Sequence, residues 1–209
     1  MTGPTPTFWQ ARFETNQTGW DRGAPGPRLQ HWLDSGELTP CRMAVPGCGS
    51  GWDVAELASR GFDVVGLDYT PAAVERARAH LQMVPHPNGQ PLAARVVQAD
   101  VLVWEPAEPL DAVYEQTCLC ALHPDQWTAY AHQLWRWLRP GGELRALFMQ
   151  RPRANALEEG RIEGPPYHCD INAMRALFPS LLWDWPAPPY AQVPHPNGGH
   201  ELAVVLKRR

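Results

Sequence analysis

The sequence lacks any run of the roughly 18 consecutive apolar residues that a membrane-spanning helix requires. Its start, from Met1 to Pro6, also lacks the basic region followed by an apolar region that forms a secretory signal peptide. The five cysteines are odd in number, and none belongs to a Cys-x-x-Cys pair. This cysteine usage argues against the disulfide framework of a secreted protein and against a structural zinc site. We therefore predict a cytoplasmic protein with no membrane partner and no bound metal.

An excess of positive charge is also missing, because 18 lysine and arginine residues are outnumbered by 22 aspartates and glutamates, for a net charge of -4. Nucleic-acid-binding domains usually carry a clustered basic face, so we predict no nucleic acid partner. Apolar residues make up 44% of the chain, an ordinary share for a folded protein. The 209 residues suffice for one domain with a substantial core.

From Arg42 onward, short apolar runs alternate with helical patterns, which is typical of parallel β-α-β units. The predicted strands cover residues 43–45, 62–67, 95–97, 112–114, 143–149, 182–185 and 202–206. The predicted helices cover residues 8–14, 27–35, 53–60, 71–83, 125–138 and 171–178. The turn-rich residues 194–199 separate the last two strands, so these two should be antiparallel. The pattern predicts an α/β fold with a doubly wound, Rossmann-like, seven-stranded sheet that is mostly parallel and has an antiparallel C-terminal hairpin.

A glycine motif lies between the first predicted strand and the helix that follows it, in the segment Val45 to Gly51. Gly47, Gly49 and Gly51 would let the backbone turn sharply and approach a ligand with no side chain in the way. In this strand-turn-helix context such glycines indicate a nucleoside or nucleotide cofactor. NAD is disfavoured, because dinucleotide binding requires a further glycine where this chain has Trp52.

Two acidic residues follow the next two predicted strands. Asp68 lies 21 residues after Gly47, at the carboxyl end of its strand, where a carboxylate can accept hydrogen bonds from both hydroxyls of a ribose. Its alternative role, capping the helix that starts at Pro71, is better supplied by Thr70. Asp100, with Val101 after it, is placed to contact the base of the same nucleoside.

Several stretches of the chain resemble the thiopurine S-methyltransferase family, and more closely its thiol and halide methyltransferase branch. The matching stretches are Phe8-Trp9 to Thr18-Gly19-Trp20-Asp21, Val45-Pro46-Gly47-Cys48-Gly49-Ser50-Gly51-Trp52-Asp53-Val54, Val65-Gly66-Leu67-Asp68, Cys120-Ala121-Leu122-His123-Pro124, Leu138-Arg139-Pro140-Gly141-Gly142-Glu143-Leu144 and Gly164-Pro165-Pro166-Tyr167. The Pro-Gly-Cys-Gly and Gly-Pro-Pro-Tyr patterns are fairly specific, whereas the Leu-x-Pro-Gly-Gly turn is shared by many methyltransferases.

The resemblance implies an S-adenosylmethionine-dependent methyltransferase with a small-molecule substrate. We also expect a monomer or weak homo-oligomer. The resemblance further implies that residues 1–41 form a tail and a helical segment that covers the cofactor, and that residues 42–209 form the cofactor-binding domain. The cofactor site would comprise Trp9, Trp20, Pro46, Gly47, Gly49, Gly51, Asp68, Tyr69, Asp100, Val101, Glu115 and Gln116. The substrate site would comprise Trp20, Gln116, Cys118, Pro165, Pro166 and Tyr167.

Two positions depart from the thiopurine enzymes of this family. Position 116 is Gln where those enzymes carry Arg, and position 68 is Asp where they tend to have Glu. Both departures favour a small, soft nucleophile, namely a thiol, a halide or thiocyanate. Methylation of a thiopurine, a metalloid oxyanion or another small acceptor stays open, as does a catalytically silent cofactor-binding protein.

Methyl transfer to an acceptor that arrives ionised needs no strong base, so the sequence identifies no required catalytic residue. For a neutral thiol acceptor, His168 beside the Gly-Pro-Pro-Tyr stretch is the candidate base. His123, which precedes Pro124, is more typical of a residue at the start of a helix.

Overall fold

A single mixed β-sheet organises the chain in the computed structural model, which describes residues 3–85, 92–196 and 198–209. The strands are β1 (Arg42–Pro46), β2 (Asp63–Asp68), β3 (Ala94–Gln98), β4 (Leu110–Gln116), β5 (Leu138–Gln150), β6 (Trp183–Asp184), β7 (Ala191–Pro194) and β8 (His200–Arg208). Seven of them follow the order β3-β2-β1-β4-β5-β8-β6, and β7 also pairs with β8. Strands β1 to β5 are parallel, whereas β8 is antiparallel to β5, β6 and β7. The predicted fold class is confirmed, with β7 as a further strand that the sequence pattern did not predict.

The helices are α1 (Pro6–Glu14), α2 (Pro27–Asp34), α3 (Trp52–Ser59), α4 (Pro71–Gln82), α5 (Trp127–Trp137), α6 (Ala154–Glu158) and α7 (Ile171–Leu177). Local chemistry explains several of their starts, because α1, α2 and α4 each have proline in the first turn, where no backbone N–H is needed. The hydroxyl of Thr5 also accepts a hydrogen bond from the N–H of Phe8 and so caps α1. Among the described residues, no helix is long and apolar enough to cross a membrane.

The structure differs from the prediction where α5 meets β5. The predicted helix over 125–138 starts as a 3-10 turn, Pro124–Gln126, and β5 already begins at Leu138, the last residue of that predicted helix, and includes residues 139–142, which were expected to form a turn. Leu138 pairs with Leu110, and the register of the two strands shifts before Ala112 pairs with Glu143. The pairing of β4 with β5 therefore lies on both sides of the Pro-Gly-Gly stretch, which forms an irregularity within β5. Met1 and Thr2 of the predicted tail and Asn197 of the predicted hairpin loop lie outside the described residues.

Hydrophobic side chains cover both faces of the sheet, as a doubly wound fold requires. On one face, Val113 of β4, Trp137 of α5 and Trp183 of β6 belong to one continuous cluster of buried side chains. The neighbouring strand residue Tyr114 points to the other face, where it packs with Trp32 of α2. The chain reverses its strand order at β1, which lies between β2 and β4. In open α/β sheets this reversal creates a crevice at the carboxyl ends of the strands, where ligands bind.

Candidate active site

A cavity of about 190 Å³ lies at this crevice. Its lining is drawn from the N-terminal segment, from the loops after β1 to β5 and from the loop before β8. The lining residues are Trp9, Arg12, Phe13, Trp20, Gly47, Gly49, Asp68, Tyr69, Thr70, Ala99, Asp100, Val101, Thr117, Cys118, Cys120, Ala121, Leu122, Met149, Pro165, Pro166 and His195. We call it the main cavity. It thus collects eleven residues that the sequence predicted for the cofactor or substrate site.

The glycine turn forms the floor of the main cavity. Gly47 and Gly49 have φ angles of +59° and +52°, which side-chain-bearing residues rarely adopt. A Cβ atom on Gly47 would stand 3.0 Å from the Cβ of Cys118. Gly51 has a different role: at φ +80°, a Cβ there would lie 2.6 Å from the Cβ of Ala77, so this glycine allows α4 to approach closely. The turn therefore needs glycine for its backbone shape and for two close contacts.

Asp68 presents a fixed carboxylate at the end of β2. Its Oδ1 accepts a hydrogen bond from the N–H of Thr70 at 2.9 Å, and its Oδ2 accepts one from the N–H of Gly49 at 3.1 Å. Burial raises the pKa of Asp68, and these two backbone donors oppose that effect. Because the N–H of Gly49 belongs to the glycine turn, its hydrogen bond fixes the position of the Asp68 carboxylate relative to that turn.

Asp100 and Val101 occupy the end of the main cavity below β3. Oδ1 of Asp100 accepts from the N–H of Leu102 at 2.9 Å, which fixes the carboxylate in a tight turn. Val101 is buried, and Tyr69 adds its ring to the same lining. The two acids at the ends of neighbouring strands are thus separated by apolar surface.

The N-terminal segment supplies the opposite wall. Trp9, Phe13 and Trp20 pack edge to face, with ring centroids 5.3 Å apart for the two tryptophans and 5.9 Å apart for Phe13 and Trp20. Arg76 of α4 holds this wall by donating hydrogen bonds to the carbonyl of Phe13 and to the side chain of Asn16. Aromatic surface therefore faces the glycine turn across the cavity.

Asp21 joins this wall to the glycine turn. Its carboxylate accepts hydrogen bonds from the hydroxyl of Ser50 and, at 2.9 Å, from the indole N–H of Trp52. The ring of Trp52 in turn lies 3.8 Å from the imidazole of His80. Trp52 thus anchors the N-terminal segment. It occupies the position where dinucleotide-binding motifs have glycine.

A smaller, polar cavity of about 70 Å³ adjoins the main one and shares Trp20, Gly47, Gly49, Thr117 and His195 with it. Its lining includes Asp21, Arg22, Asp53 and Gln116. Asp53 accepts a hydrogen bond from the N–H of Gly26 at 2.7 Å, and burial raises the pKa of Asp53 to about 6. This polar annex offers one cationic and two acidic side chains beside the glycine turn.

Gln116 is held by its neighbours in the annex. Its Oε1 accepts from the hydroxyl of Tyr114 at 2.6 Å, and its Nε2 donates to the carboxylate of Glu201 at 2.8 Å. Glu201 is fully buried, and burial raises its pKa to about 8. The nearest cation, Arg22, lies 4.0 Å from the carboxylate oxygen and donates instead to the carbonyl of Pro194.

Neutral sulfur atoms and prolines line another part of the main cavity: Cys118, Cys120, Met149, Pro165 and Pro166. We call this set the sulfur-rich end. Burial raises the pKa of both cysteines well above the ordinary value, so they stay thiols. The N–H of Tyr167 donates to the carbonyl of Cys120 at 2.7 Å, which ties the proline-containing loop to the end of β4.

Six residues predicted from the sequence do not line the main cavity. Pro46 is buried as the last residue of β1, Gly51 packs against α4 and Gln116 faces the annex. Glu115 accepts from the N–H of Leu119 at 2.7 Å, and burial raises its pKa to about 7. Tyr167 packs its ring 5.4 Å from that of His123. His168, the candidate base, instead accepts a hydrogen bond through Nδ1 from the N–H of Arg151 at 3.2 Å.

Ten lining residues were not predicted: Arg12, Phe13, Thr70, Ala99, Thr117, Cys120, Ala121, Leu122, Met149 and His195. Most follow a strand that was predicted, so the position after a strand end is the signal that could have found them. Arg12 and Phe13 lie on α1, whose sequence does not say which side meets the sheet. His195 lies in a stretch interpreted as a turn. Among the described residues, no cluster of side chains fits a metal ion.

Comparison with known proteins gives a consistent result. A family model described as thiopurine S-methyltransferase matches residues 4–188. The chain is 35% identical over 164 residues to "Probable thiol methyltransferase 2" of Arabidopsis thaliana, covering 78% of this chain and 68% of that protein. It is 33% identical over 170 residues to "Thiocyanate methyltransferase 1" of the same plant, covering 81% of this chain and 70% of that protein.

A solved structure has a similar fold. It is the 1,6-didemethyltoxoflavin-N1-methyltransferase of Burkholderia thailandensis, crystallised with 1,6-didemethyltoxoflavin and S-adenosylhomocysteine. The likeness has a TM-score of 0.73 and 18% identity, and covers 97% of this chain and 86% of that chain. At that identity the comparison supports the fold.

Proposed function

We propose that this chain, which belongs to the thiopurine S-methyltransferase family, methylates a small soft nucleophile: a thiol, a halide or thiocyanate. Membership is shown by the family match over residues 4–188 and by the relatives above 30% identity. The protein is accordingly an S-adenosylmethionine-dependent methyltransferase. The soft acceptor is the proposed step, and the neutral, sulfur-rich end of the main cavity is the observation that carries it.

The cavities fit the cofactor chemically. Asp68 would accept hydrogen bonds from the ribose, and Asp100 with its apolar surroundings would contact the adenine. The polar annex suits the amino-acid end of the cofactor, because that end carries both charges and Arg22 lies there beside Asp21 and Asp53. When bound, the cofactor supplies a methyl group on a cationic sulfur.

The chain itself has to orient the acceptor and exclude water. Correct orientation alone can lower a barrier by about 7–11 kcal/mol. We propose that residues 1–41 form the covering segment and residues 42–209 the cofactor-binding domain, with Trp9 and Trp20 shielding the site. Their faces could also attract a sulfonium, by about 0.5–2 kcal/mol.

The sulfur-rich end favours a soft acceptor because it offers polarisable sulfur and apolar carbon. An oxyanion or an amine would lose its hydration there without gaining strong hydrogen bonds, which costs free energy. The relatives named for a thiol and for thiocyanate agree with this chemistry. Thiopurines are the second candidate, since the family is described by them. We rank thiopurines lower because the thiopurine enzymes carry Arg at position 116. This chain has Gln116 there, and its side chain is hydrogen-bonded to Tyr114 and Glu201.

The test compares the acceptors with one another. The purified chain is incubated with S-adenosylmethionine and, in separate reactions, iodide, thiocyanate, a small thiol, a thiopurine and a metalloid oxyanion. Formation of S-adenosylhomocysteine and of the methylated product is measured by mass spectrometry. We expect kcat/KM to be highest for one of the first three. Preference for the thiopurine or the oxyanion would overturn the proposal, and cofactor binding without any product would favour a silent binder.

A matched pair of variants tests the role of the sulfur-rich end. Cys120→Ser replaces a cavity sulfur with oxygen, and we expect a loss of about tenfold in kcat/KM for iodide, since polarisable contact is lost. Cys41→Ser makes the same exchange just before β1, outside both cavities. Equal effects of the two substitutions would remove the specificity argument.

We also propose a cytoplasmic location, because all five cysteines are free, as is usual in reducing compartments. A monomer or weak homo-oligomer remains our prediction. Light scattering over a range of protein concentrations measures the oligomeric state directly.

A further inference from the structure

His195 is a buried histidine that the sequence pattern did not connect with the site. It lies between β7 and β8, and only 7% of its surface is exposed. Its backbone is fixed by the turn, since its N–H donates to the carbonyl of Gly199 at 3.3 Å and its carbonyl accepts from Gly198 at 3.0 Å. It lines both the main cavity and the polar annex. Of the described residues that line either cavity, it is the one histidine.

We propose that His195 is the base that removes the proton when the acceptor is a neutral thiol. This assignment rests on the proposed function. The thiol sulfur forms a bond to the methyl carbon as the bond between that carbon and the cofactor sulfur breaks, and the breaking bond's electron pair stays on the cofactor sulfur. The thiol proton passes to a ring nitrogen of His195 and then to water. The products are a thioether, S-adenosylhomocysteine and one proton.

Other titratable groups of the main cavity are less suited to this role. Asp68 and Asp100 are held by backbone N–H groups at the two ends assigned to the nucleoside. Burial raises the pKa values of Tyr69, Cys118 and Cys120, so these groups keep their own protons. A guanidinium such as that of Arg12 does not accept a proton.

His168 is excluded by its position. It does not line the main cavity, and its Nδ1 accepts the N–H of Arg151. A base must lie within reach of the acceptor proton. His195 lines the cavity in which we place the acceptor, and His168 does not.

The surroundings of His195 keep its imidazole neutral. Burial lowers its pKa to about 4, and Arg22 from the N-terminal segment and Arg151 after β5 act in the same direction. Asp21 and Asp53 also line the shared annex. At neutral pH the ring can therefore accept a proton. A weak base suffices because a thiol proton becomes strongly acidic as its sulfur forms a third bond, to the methyl carbon, and gains positive charge.

The test compares an acceptor that carries a proton with one that does not. His195→Gln is assayed with an alkyl thiol, at a pH below the pKa of that thiol, and with thiocyanate, which is ionised throughout. General bases contribute about 100-fold or more, so we expect the thiol-to-thiocyanate ratio of kcat/KM to fall by about 100-fold. The ratio should recover as the pH rises through the pKa of the thiol, because the thiolate needs no base. His168→Gln is the matched control and should leave the ratio as in the parent.

Several results would overturn the assignment. A His195→Gln protein that loses both activities equally, with no recovery at high pH, would give this residue a structural role. An unchanged ratio would remove it from the reaction. If the parent protein methylates neither of these acceptors nor iodide, both the proposed function and this assignment fail, whereas the first two results reject the assignment alone. Circular dichroism and cofactor titration of each variant separate misfolding from lost chemistry, and His195→Asn provides a second amide variant.

Discussion

Replacing Asp68 with alanine removes the carboxylate that we assign to the ribose. The two oxygens already accept from Thr70 and Gly49, at 2.9 and 3.1 Å, which leaves one further lone pair on each for a ribose hydroxyl. A hydrogen bond to a charged group contributes about 1.5–3 kcal/mol. Two of them give about 3–6 kcal/mol, and water that enters the variant site would offset part of this. We therefore expect affinity for S-adenosylmethionine and S-adenosylhomocysteine to fall by about 100-fold or more, measured by titration calorimetry.

A control on the same strand separates binding from stability. Asp63 starts β2, is partly exposed and pairs with Arg42 at 2.9 Å, a surface interaction of about 0–1 kcal/mol. Asp63→Ala should leave cofactor affinity unchanged. Asp68→Ala should also lower Tm, because two backbone N–H groups lose their acceptor, so titrations belong well below the Tm of each variant. An affinity for Asp68→Ala within threefold of the parent would refute the assignment.

Three further predictions concern other parts of the site. Asp21→Asn weakens the link between the N-terminal segment and the glycine turn, so we expect about tenfold weaker cofactor binding and faster hydrogen exchange in residues 3–41. Burial raises the pKa of Glu201 from 4.5 to about 8. Between pH 4.5 and pH 8 the folded chain therefore holds a proton that the unfolded chain has released. The free energy of unfolding consequently falls as the pH rises through this range. Glu201→Gln should therefore raise Tm by about 3 °C or more at pH 8 and by less at pH 5. Gly51→Ala, at φ +80° and against the facing helix, should cost about 3 kcal/mol in urea unfolding, whereas Gly160→Ala, at φ +65° with open space around it, should cost about 1–2 kcal/mol.

The half of the site that we assign to the nucleoside was predictable because its signals are local. A glycine turn follows β1 and an acid follows β2, and in a parallel sheet these positions meet at one edge. The structure brings Gly47, Gly49, Asp68 and Asp100 together in this way. The prediction required only the strand boundaries, which the apolar runs indicate clearly.

The side of the cavity that we assign to the acceptor was less predictable, because a loop sequence does not fix the direction of its side chains. Tyr167 and His168 follow the prolines that reach the cavity, yet both side chains face other partners. His195 shows the opposite difference. Its turn-forming neighbours predicted only a loop, yet His195 lines the main cavity. The short strand β7 explains this position, because it pairs with the start of β8, which itself pairs with the carboxyl end of β5. The sequence pattern did not predict β7 as a strand.

The two sides of the site are not independent, because they touch where Gly47 meets Cys118. A Cβ atom on Gly47 would lie 3.0 Å from the Cβ of Cys118 and 3.1 Å from its sulfur, so the glycine turn packs directly against a residue of the sulfur-rich end. A bulkier side chain at position 118 would press on the turn that also donates to Asp68 through Gly49. Acceptor preference should therefore be adjustable at Cys120 or Met149 without loss of cofactor affinity, whereas enlargement of Cys118 should weaken both together. This coupling gives a physical reason for a small side chain at position 118, whatever the acceptor.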